Sequence, residues 1–224
     1  KASLEPCNFG LALEYSYTNL NLNREYPGLF TPPVPGGFEI DNLHITYLTG
    51  SYGVTEWLEV FLRVDLIDAS NADDTGRYLI TSFNDYDFDQ DFIYGGGARF
   101  TLGTMGDVTF GGVASYSWAS MDGTFSRTWT FNGAALTPGT MNMRMEQFQL
   151  ALGATWDMTE RVSVYGGALM HWVRADLNRE VVIGGTPYNN NFIAENDHFG
   201  SMFGGYAGAK IGLTDTMYLA VEGT

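Results

Sequence analysis

The feature that most constrains the fold is an alternation of apolar and polar residues with a period of two. In the first segment, Phe9, Leu11, Leu13, Tyr15 and Tyr17 alternate with small and polar residues. Successive side chains of a β-strand point to opposite faces, so this pattern predicts a strand with one apolar face. Nine such segments begin near positions 9, 42, 58, 93, 108, 147, 162, 203 and 217. The chain is therefore predicted to be all-β.

The connections between these segments fall into a short and a long class. Three short turns, at 53–56, 157–160 and 212–215, read G-V-T-E, D-M-T-E and G-L-T-D, and a fourth lies at 103–107. Gly, Asp and Thr suit tight turns because they tolerate or locally satisfy unusual backbone geometry. The long connections span 20–37, 69–84, 121–142 and 176–197. This alternation predicts an antiparallel, up-and-down arrangement.

Composition excludes several other classes of protein. The net charge of −15 argues against a nucleic-acid partner, which requires a basic face. The longest stretches without a polar residue, such as 92–98, have seven residues, whereas a membrane helix needs about 20. The single cysteine, Cys7, excludes an internal disulfide. An aromatic content of 15% is too high for a disordered acidic chain.

Four features favour a membrane β-barrel over a soluble one. One face is small, polar or charged in segment after segment, the turns fall into two classes, and the apolar stretches match the 9–11 residues of a tilted membrane strand. The apolar face also tends to end in aromatic residues, which favour membrane interfaces. The predicted interface aromatics are Tyr15, Tyr17, Tyr116, Trp118, Trp156 and Trp172.

These segments and the three similar turns resemble the small outer-membrane β-barrels of Gram-negative bacteria, of the OmpA-like and porin-like class. The resemblance covers the chain from about Cys7 to Thr224. It implies a location in the bacterial outer membrane, with periplasmic turns and termini and long extracellular loops. The implied partners are the lipid bilayer and lipopolysaccharide, and the loops are available to protein partners.

The number of strands is predicted to be eight to ten. The class implies an even number and a terminal aromatic, but the ninth segment here stops at Glu222, Gly223 and Thr224. We therefore expect a ten-stranded barrel whose last strand is missing from this chain, with eight strands and a tail as the weaker alternative. Residues 1–6 are predicted to be a leader segment and 7–224 the barrel.

The polar face contains charged residues that are predicted to point into the barrel lumen. They form either the lining of a narrow pore or a plug of salt bridges, which the small interior of such a barrel favours. Turn geometry predicts His44 opposite Asp65, and Lys210 diagonal to Glu222. The full set is Glu14, His44, Glu59, Arg63, Asp65, Asp91, Arg99, His171, Lys210 and Glu222.

An acidic run precedes the fourth segment. Asp85, Asp87, Asp89 and Asp91 alternate with other residues, so on one continuous strand all four carboxylates would share a face. We interpret Asp85, Asp87 and Asp89 as an acidic extracellular mouth. If this mouth has a function, we expect it to be an entrance that prefers cations. A calcium-type site is the weaker alternative, and no metal or other cofactor is predicted.

Alternate methionines, Met141, Met143 and Met145, precede the sixth segment. They form either an adhesive patch above the membrane or, as we favour, a cluster packed against Trp129 and Phe131 in a protruding hairpin. In the favoured interpretation, the hairpin protrudes from the third long loop.

No arrangement of residues favours catalysis. The three histidines lack an adjacent nucleophile, and the sequence has no G-x-S-x-G motif and no zinc-spaced cluster. The predicted function is a structural barrel or a narrow, weakly cation-preferring passive pore. The first alternative is a loop-mediated interaction or adhesion protein with a closed, salt-bridged lumen, and an outer-membrane enzyme ranks third.

Overall fold

The computed structural model describes residues 4–25, 36–68, 71–74, 83–88, 91–125, 129–131, 134–137, 140–183, 186–195, 202–214 and 218–223. Nine main strands, numbered with the others in chain order, are β1 (Phe9–Glu25), β2 (Gly36–Thr55), β3 (Leu58–Asp68), β6 (Asp91–Met105), β7 (Val108–Phe125), β10 (Thr140–Asp157), β11 (Val162–Ile183), β13 (Phe203–Gly212) and β14 (Tyr218–Gly223). Five connecting strands lie between them: β4 (Asn71–Asp74), β5 (Phe83–Phe88), β8 (Trp129–Phe131), β9 (Ala134–Thr137) and β12 (Thr186–Glu195).

The main strands form one antiparallel sheet. Each pairs with the main strand before it, so the order is β1-β2-β3-β6-β7-β10-β11-β13-β14. The sheet curls into a half-barrel. The predicted all-β, antiparallel up-and-down arrangement is therefore confirmed. We call the end with the short connections the turn end and the opposite end the loop end.

Local chemistry explains the short turns. Met105 pairs with Val108, which leaves a two-residue turn in which Gly106 has a φ of 60°, a conformation that glycine adopts without steric cost. In the turn at 158–161, Thr159 Oγ1 accepts hydrogen bonds from the backbone N–H groups of Arg161 and Val162. The hydroxyl group thus satisfies donors that the tight turn leaves without a strand partner.

The N-terminal residues lie against the turn end. The backbone N–H of Cys7 donates to Gly53 O at 2.8 Å, and Gly53 N–H donates to Asn8 O at 3.0 Å. A Cβ at Gly53 would collide with the carbonyl oxygen of Glu5, so only glycine permits this close approach. Residues 5–8 are thereby joined to the end of β2.

At the loop end, the strands continue into the predicted long connections. β1 reaches Glu25, β7 reaches Phe125 and β11 reaches Ile183. The backbone hydrogen bonds of a ladder do not require an apolar face, so pairing continues beyond the alternating segments. β12 pairs with β11 and, through residues 193–195, with residues 23–25 of β1. It therefore bridges β11 and β1 at the loop end.

One of the two predicted registers is wrong and the other is confirmed. His44 pairs with Asp68, and Tyr47 lies opposite Asp65, because the β2–β3 hairpin tightens to a two-residue turn with an irregularity between Gly53 and Thr55. In the β13–β14 pair, Lys210 lies opposite Ala220 and is therefore diagonal to Glu222, as predicted.

The outer face of the half-barrel is largely apolar, and its inner face buries charged as well as apolar side chains. Large apolar side chains of the outer face are exposed, among them six that are 69–82% exposed: Phe9, Leu11, Leu13, Leu62, Leu102 and Val221. On the inner face, by contrast, the carboxylates of Glu59 and Asp65 are fully buried. Within the described ranges, no helix has the length and apolar character needed to cross a membrane.

The second strand departs from the predicted assignment of faces. Its alternation in the sequence, with Leu43, Ile45 and Tyr47 on one face and Asn42, His44 and Thr46 on the other, predicts that Ile45 and Tyr47 face outward. In the structure, however, Ile45 is buried and Tyr47 lies opposite the buried Asp65. Leu48, on the alternate face, is exposed. Pairing with β1 and β3 decides which face of β2 points inward, and its mixed composition carries too weak a pattern to indicate that choice.

Candidate functional site

The inner face contains an ion pair between β3 and β6. Arg99 Nη1 donates a hydrogen bond to Glu59 Oε1, and the two residues lie directly opposite each other in the ladder. Glu59 is fully buried, so the guanidinium supplies the compensating charge that a buried carboxylate requires. The Arg99 guanidinium also lies 4.6 Å from the centre of the Phe61 ring, in a cation–π contact.

A second arginine, Arg63, lies on β3 four residues beyond Glu59 toward the loop end. Arg63 Nε is 3.1 Å from Asp65 Oδ2, its Nη2 donates to Ser117 Oγ at 3.2 Å, and its guanidinium lies 4.9 Å from the centre of the Tyr47 ring. Both carboxylate oxygens of Asp65 are buried and form no hydrogen bond with any residue that the structure describes. Proximity of opposite charges, rather than a well-aligned hydrogen bond, therefore compensates Asp65.

Two glycines of β6 make room for these side chains. A Cβ at Gly95 would lie 2.8 Å from Ser117 Cβ and 3.2 Å from Arg63 Nε, so glycine lets Arg63 reach across β6 to β7. A Cβ at Gly97 would collide with the carbonyl oxygen of Ala114 and lie 2.8 Å from the Phe61 ring. The glycine content of this strand is therefore a packing requirement of the interior.

Replacing Gly97 by alanine is expected to lower the free energy of unfolding by about 1–3 kcal/mol, because the added methyl group overpacks the interior. The matched control is Gly50→Ala on β2, where an added Cβ meets nothing within 4 Å. We expect the control to lose no stability and to gain up to about 1 kcal/mol. Denaturant unfolding of both variants checks this, and equal effects would contradict the packing role of Gly97.

The polar network continues from Arg63 to the next strands. Ser117 Oγ donates to Gln147 Oε1 at 3.4 Å, and Gln147 Nε2 lies 3.5 Å from Met145 Sδ. A chain of polar contacts therefore runs from β3, past Gly95, to β7 and β10. We call Arg63, Asp65, Ser117 and Gln147 the polar girdle.

Four of the ten predicted lumen residues thus form two ion pairs, Arg99 with Glu59 and Arg63 with Asp65. His171 lies opposite Gln149 on the inner face and is partly buried. Lys210 Nζ lies 4.0 Å from the centre of the Tyr218 ring. Asp91 Oδ1 accepts a hydrogen bond from the backbone of Phe92.

Three predicted lumen residues remain. Two of them lie on the outermost main strands, and the side chain of the third is outside the described part of the structure. Glu14 on β1 and Glu222 on β14 are exposed, and they lie opposite Tyr47 and Gly208. The side chain of His44 is outside the described part of the structure.

The acidic run is not one continuous strand. β5 ends at Phe88, β6 begins at Asp91, and Asp89 is outside the described residues. Tyr86 pairs with Phe125 whereas Ile93 pairs with Ala119, so the registers of β5 and β6 against β7 differ by one residue. The premise that Asp85, Asp87 and Asp91 share one alternation is therefore wrong. The side chains of Asp85 and Asp87 are outside the description, and the described residues contain no group of three or more potential metal ligands.

The predicted interface aromatics lie at both ends of the outer face. Tyr15, Tyr116 and Trp118 are exposed toward the loop end, where Trp172 lies opposite Phe148. Trp156 is exposed at the turn end. Trp57, at the turn between β2 and β3, is also exposed and was absent from the prediction. The side chain of Tyr17 is outside the described part.

Sequence reasoning missed an apolar cluster inside the loop end. Met143 and Met145 are buried on the inner face, where Met143 lies opposite Met121 and Leu177. The prediction placed these methionines in an adhesive patch above the membrane or against Trp129 and Phe131, whose side chains are outside the described part. The odd-numbered alternation of β10 continues through Met143, and that signal would have placed it on the inner face.

Comparison with known proteins does not assign a family. No protein-family model matches the chain, and no curated protein is significantly similar to it. The fold and the interior geometry are therefore the basis for a functional proposal.

Proposed function

We propose that the protein is an integral β-barrel of a bacterial outer membrane, with a closed interior and long loops that face the cell exterior. The observation that carries this proposal is the polarity of its two faces. Leucine and aromatic side chains cover the outer face, whereas the ion pair of Glu59 with Arg99 lies within. Each fully exposed leucine forgoes about 1.5–3 kcal/mol relative to burial in apolar surroundings. Lipid around the outer face supplies those surroundings.

Closure of the half-barrel supports ten strands. β1 and β14, the two outermost main strands, run in the same direction, and β14 pairs only with β13 among the described strands. An antiparallel connection between two such strands requires an odd number of additional strands, and one is the smallest number. An unpaired strand edge in hydrocarbon costs several kcal/mol per polar group, so a membrane barrel must close.

The lengths of the connections at its two ends suggest how the barrel is oriented in the membrane. The turn end is compact and lies on the periplasmic side, whereas the loop end carries the connecting strands and lies on the external side. The bilayer and lipopolysaccharide contact the outer face, and the loops are available to a protein partner. Buried side chains and ion pairs fill the inner face, which supports a structural or interaction role over a passive pore.

Refolding into lipid vesicles tests the location. We expect the protein to float with vesicles, to resist alkaline extraction and to lose tryptophan fluorescence when brominated lipids replace ordinary ones, because Trp118 and Trp156 are exposed on the outer face. Free tryptophan mixed with the same vesicles gives the background quenching. A monomer that stays in solution without detergent would instead identify a soluble barrel.

Planar bilayers test the closed interior. We expect inserted protein to show no regular conductance steps. Steps with a cation preference that disappears when Asp85, Asp87 and Asp89 become asparagine would contradict the closed interior and identify the pore that the acidic run predicts.

A further inference from the structure

The polarity of the two faces reverses along β7, β10 and β11. Toward the turn end, the inner face carries Ser115 and Ser117, and the outer face carries Tyr116 and Trp118. Beyond Trp118 the assignment changes, because Met121 is buried inside and Asp122 is exposed outside. The alternation of side chains continues without a break through this change, as the unshifted β7–β10 register shows.

On β7, β10 and β11, the inner residues of the loop-end region form a buried apolar cluster. Ala119, Met145 and Ala175 lie in one row of the ladder, and Met121, Met143 and Leu177 lie in the next. All six are at most 1% exposed. Ile45, Ile93 and Val173 are also buried on this face, at 0–4% exposure. We call these nine residues the apolar seal.

On β7, β10 and β11, the outer residues at the same height are polar and bonded to each other, whereas the outer face of β3 and β6 there carries the exposed apolar pair Leu66 and Phe92. Asn142 Nδ2 donates to Asp122 Oδ1 at 2.8 Å, and Arg174 Nε is 3.2 Å from Asp176 Oδ1. Arg144 lies opposite Asp176 in the ladder. Such a surface suits water rather than hydrocarbon, so the region beyond Trp118 and Trp172 has the polarity of a water-soluble barrel with its own core.

We infer that the apolar seal is the barrier that closes this barrel, and that it lies on the external side of the membrane boundary at Trp118 and Trp172. The inference rests on the proposed membrane location and adds the position and chemistry of the closure. The polar girdle ends where Gln147 meets Met145. On β7, β10 and β11 beyond that contact, the inner side chains that the structure describes are apolar and offer an ion no group to replace its hydration shell. On the neighbouring strands β3 and β6, Asp65 lies opposite Ile93 and is compensated by Arg63, and Asp91 accepts a hydrogen bond from the backbone of Phe92. The seal therefore blocks ions and water by exclusion along β7, β10 and β11.

Replacing Met121, Met143 and Met145 together by serine tests the seal. We expect the wild-type protein to be silent in planar bilayers and the triple variant to give conductance steps, with at least a tenfold rise in ion flux from loaded vesicles. The matched control replaces Asp122, Asn142 and Arg144, the outward neighbours on the same strands, by serine and is expected to stay silent. A triple variant that is inserted and silent would overturn the seal.

Cysteine accessibility provides a second measurement, because truncation of three buried side chains also weakens the fold. In a Cys7→Ser background, Met145→Cys is expected to react with a charged thiol reagent at least 100-fold more slowly than Arg144→Cys, its exposed neighbour. Equal rates would overturn the seal. Quenching by brominated lipids reports insertion independently, so failure to insert contradicts the proposed location, whereas an inserted Met145→Cys variant with an accessible thiol contradicts only the seal.

Discussion

Replacement of Leu62 by arginine is expected to lower the free energy of unfolding in lipid vesicles by about 2–4 kcal/mol. Leu62 lies midway along β3 on the outer face and is 76% exposed, which places it near the bilayer midplane in the proposed barrel. A charged side chain at this depth loses its hydration and must distort the bilayer. Denaturant unfolding in vesicles, followed by tryptophan fluorescence, measures the change.

The matched control for this prediction is Leu102→Arg. Leu102 is also on the outer face but lies three residues from the end of β6 at the turn end. Near an interface the same substitution costs only about 0–1 kcal/mol. In a soluble barrel both leucines would face water, and both substitutions would change stability by less than about 0.5 kcal/mol. Equal, small effects would therefore contradict the membrane location.

Replacement of Arg99 by alanine is expected to destabilise the protein by about 3–5 kcal/mol. The change removes the Arg99 guanidinium from the fully buried Glu59 carboxylate. Adding Glu59→Gln to the Arg99→Ala variant removes the buried negative charge and is expected to recover part of the loss. The free energies of unfolding of the single and double variants measure the coupling between the two residues.

The Arg174→Ala variant is the control, because it removes an arginine from an exposed ion pair instead of a buried one. Its ion pair with Asp176 lies on the outer face, with the two side chains 37% and 46% exposed. Exposed pairs contribute about 0–1 kcal/mol, so this variant is expected to remain near wild-type stability. If Arg99→Ala and Arg174→Ala had the same effect, burial of the Glu59 pair would not be a source of stability.

Much of the fold could be predicted from local pattern. Alternation in β3 assigns Glu59 and Asp65 to the face opposite Leu62, and the structure has that arrangement. The repeated G-V-T-E type of turn predicts short connections at one end. These inferences succeed because the period of a strand is a property of consecutive residues, and the side chains of a tight turn act on their own backbone.

The contacts between distant strands could not be predicted in the same way. His44 was expected opposite Asp65, but the β2–β3 hairpin turns at residues 56–57 instead of 53–56, and His44 pairs with Asp68. The acidic run reads as one continuous alternation, yet β5 and β6 take registers that differ by one residue. One extra residue in a strand costs little locally, but it reverses the face of every residue that follows.

The sequence by itself determined the period of two, the class of each turn and, for most strands, which residues share a face. The tertiary structure decided which of the inward residues meet. Arg99 reaches Glu59, and Arg63 reaches Ser117 past Gly95, because the ladder brings strands together across long connections. The same ladder gathers the methionines of β7 and β10 into one cluster. Register arises from hydrogen bonds between strands and from their bulges, and neither is written in the pattern of a single strand.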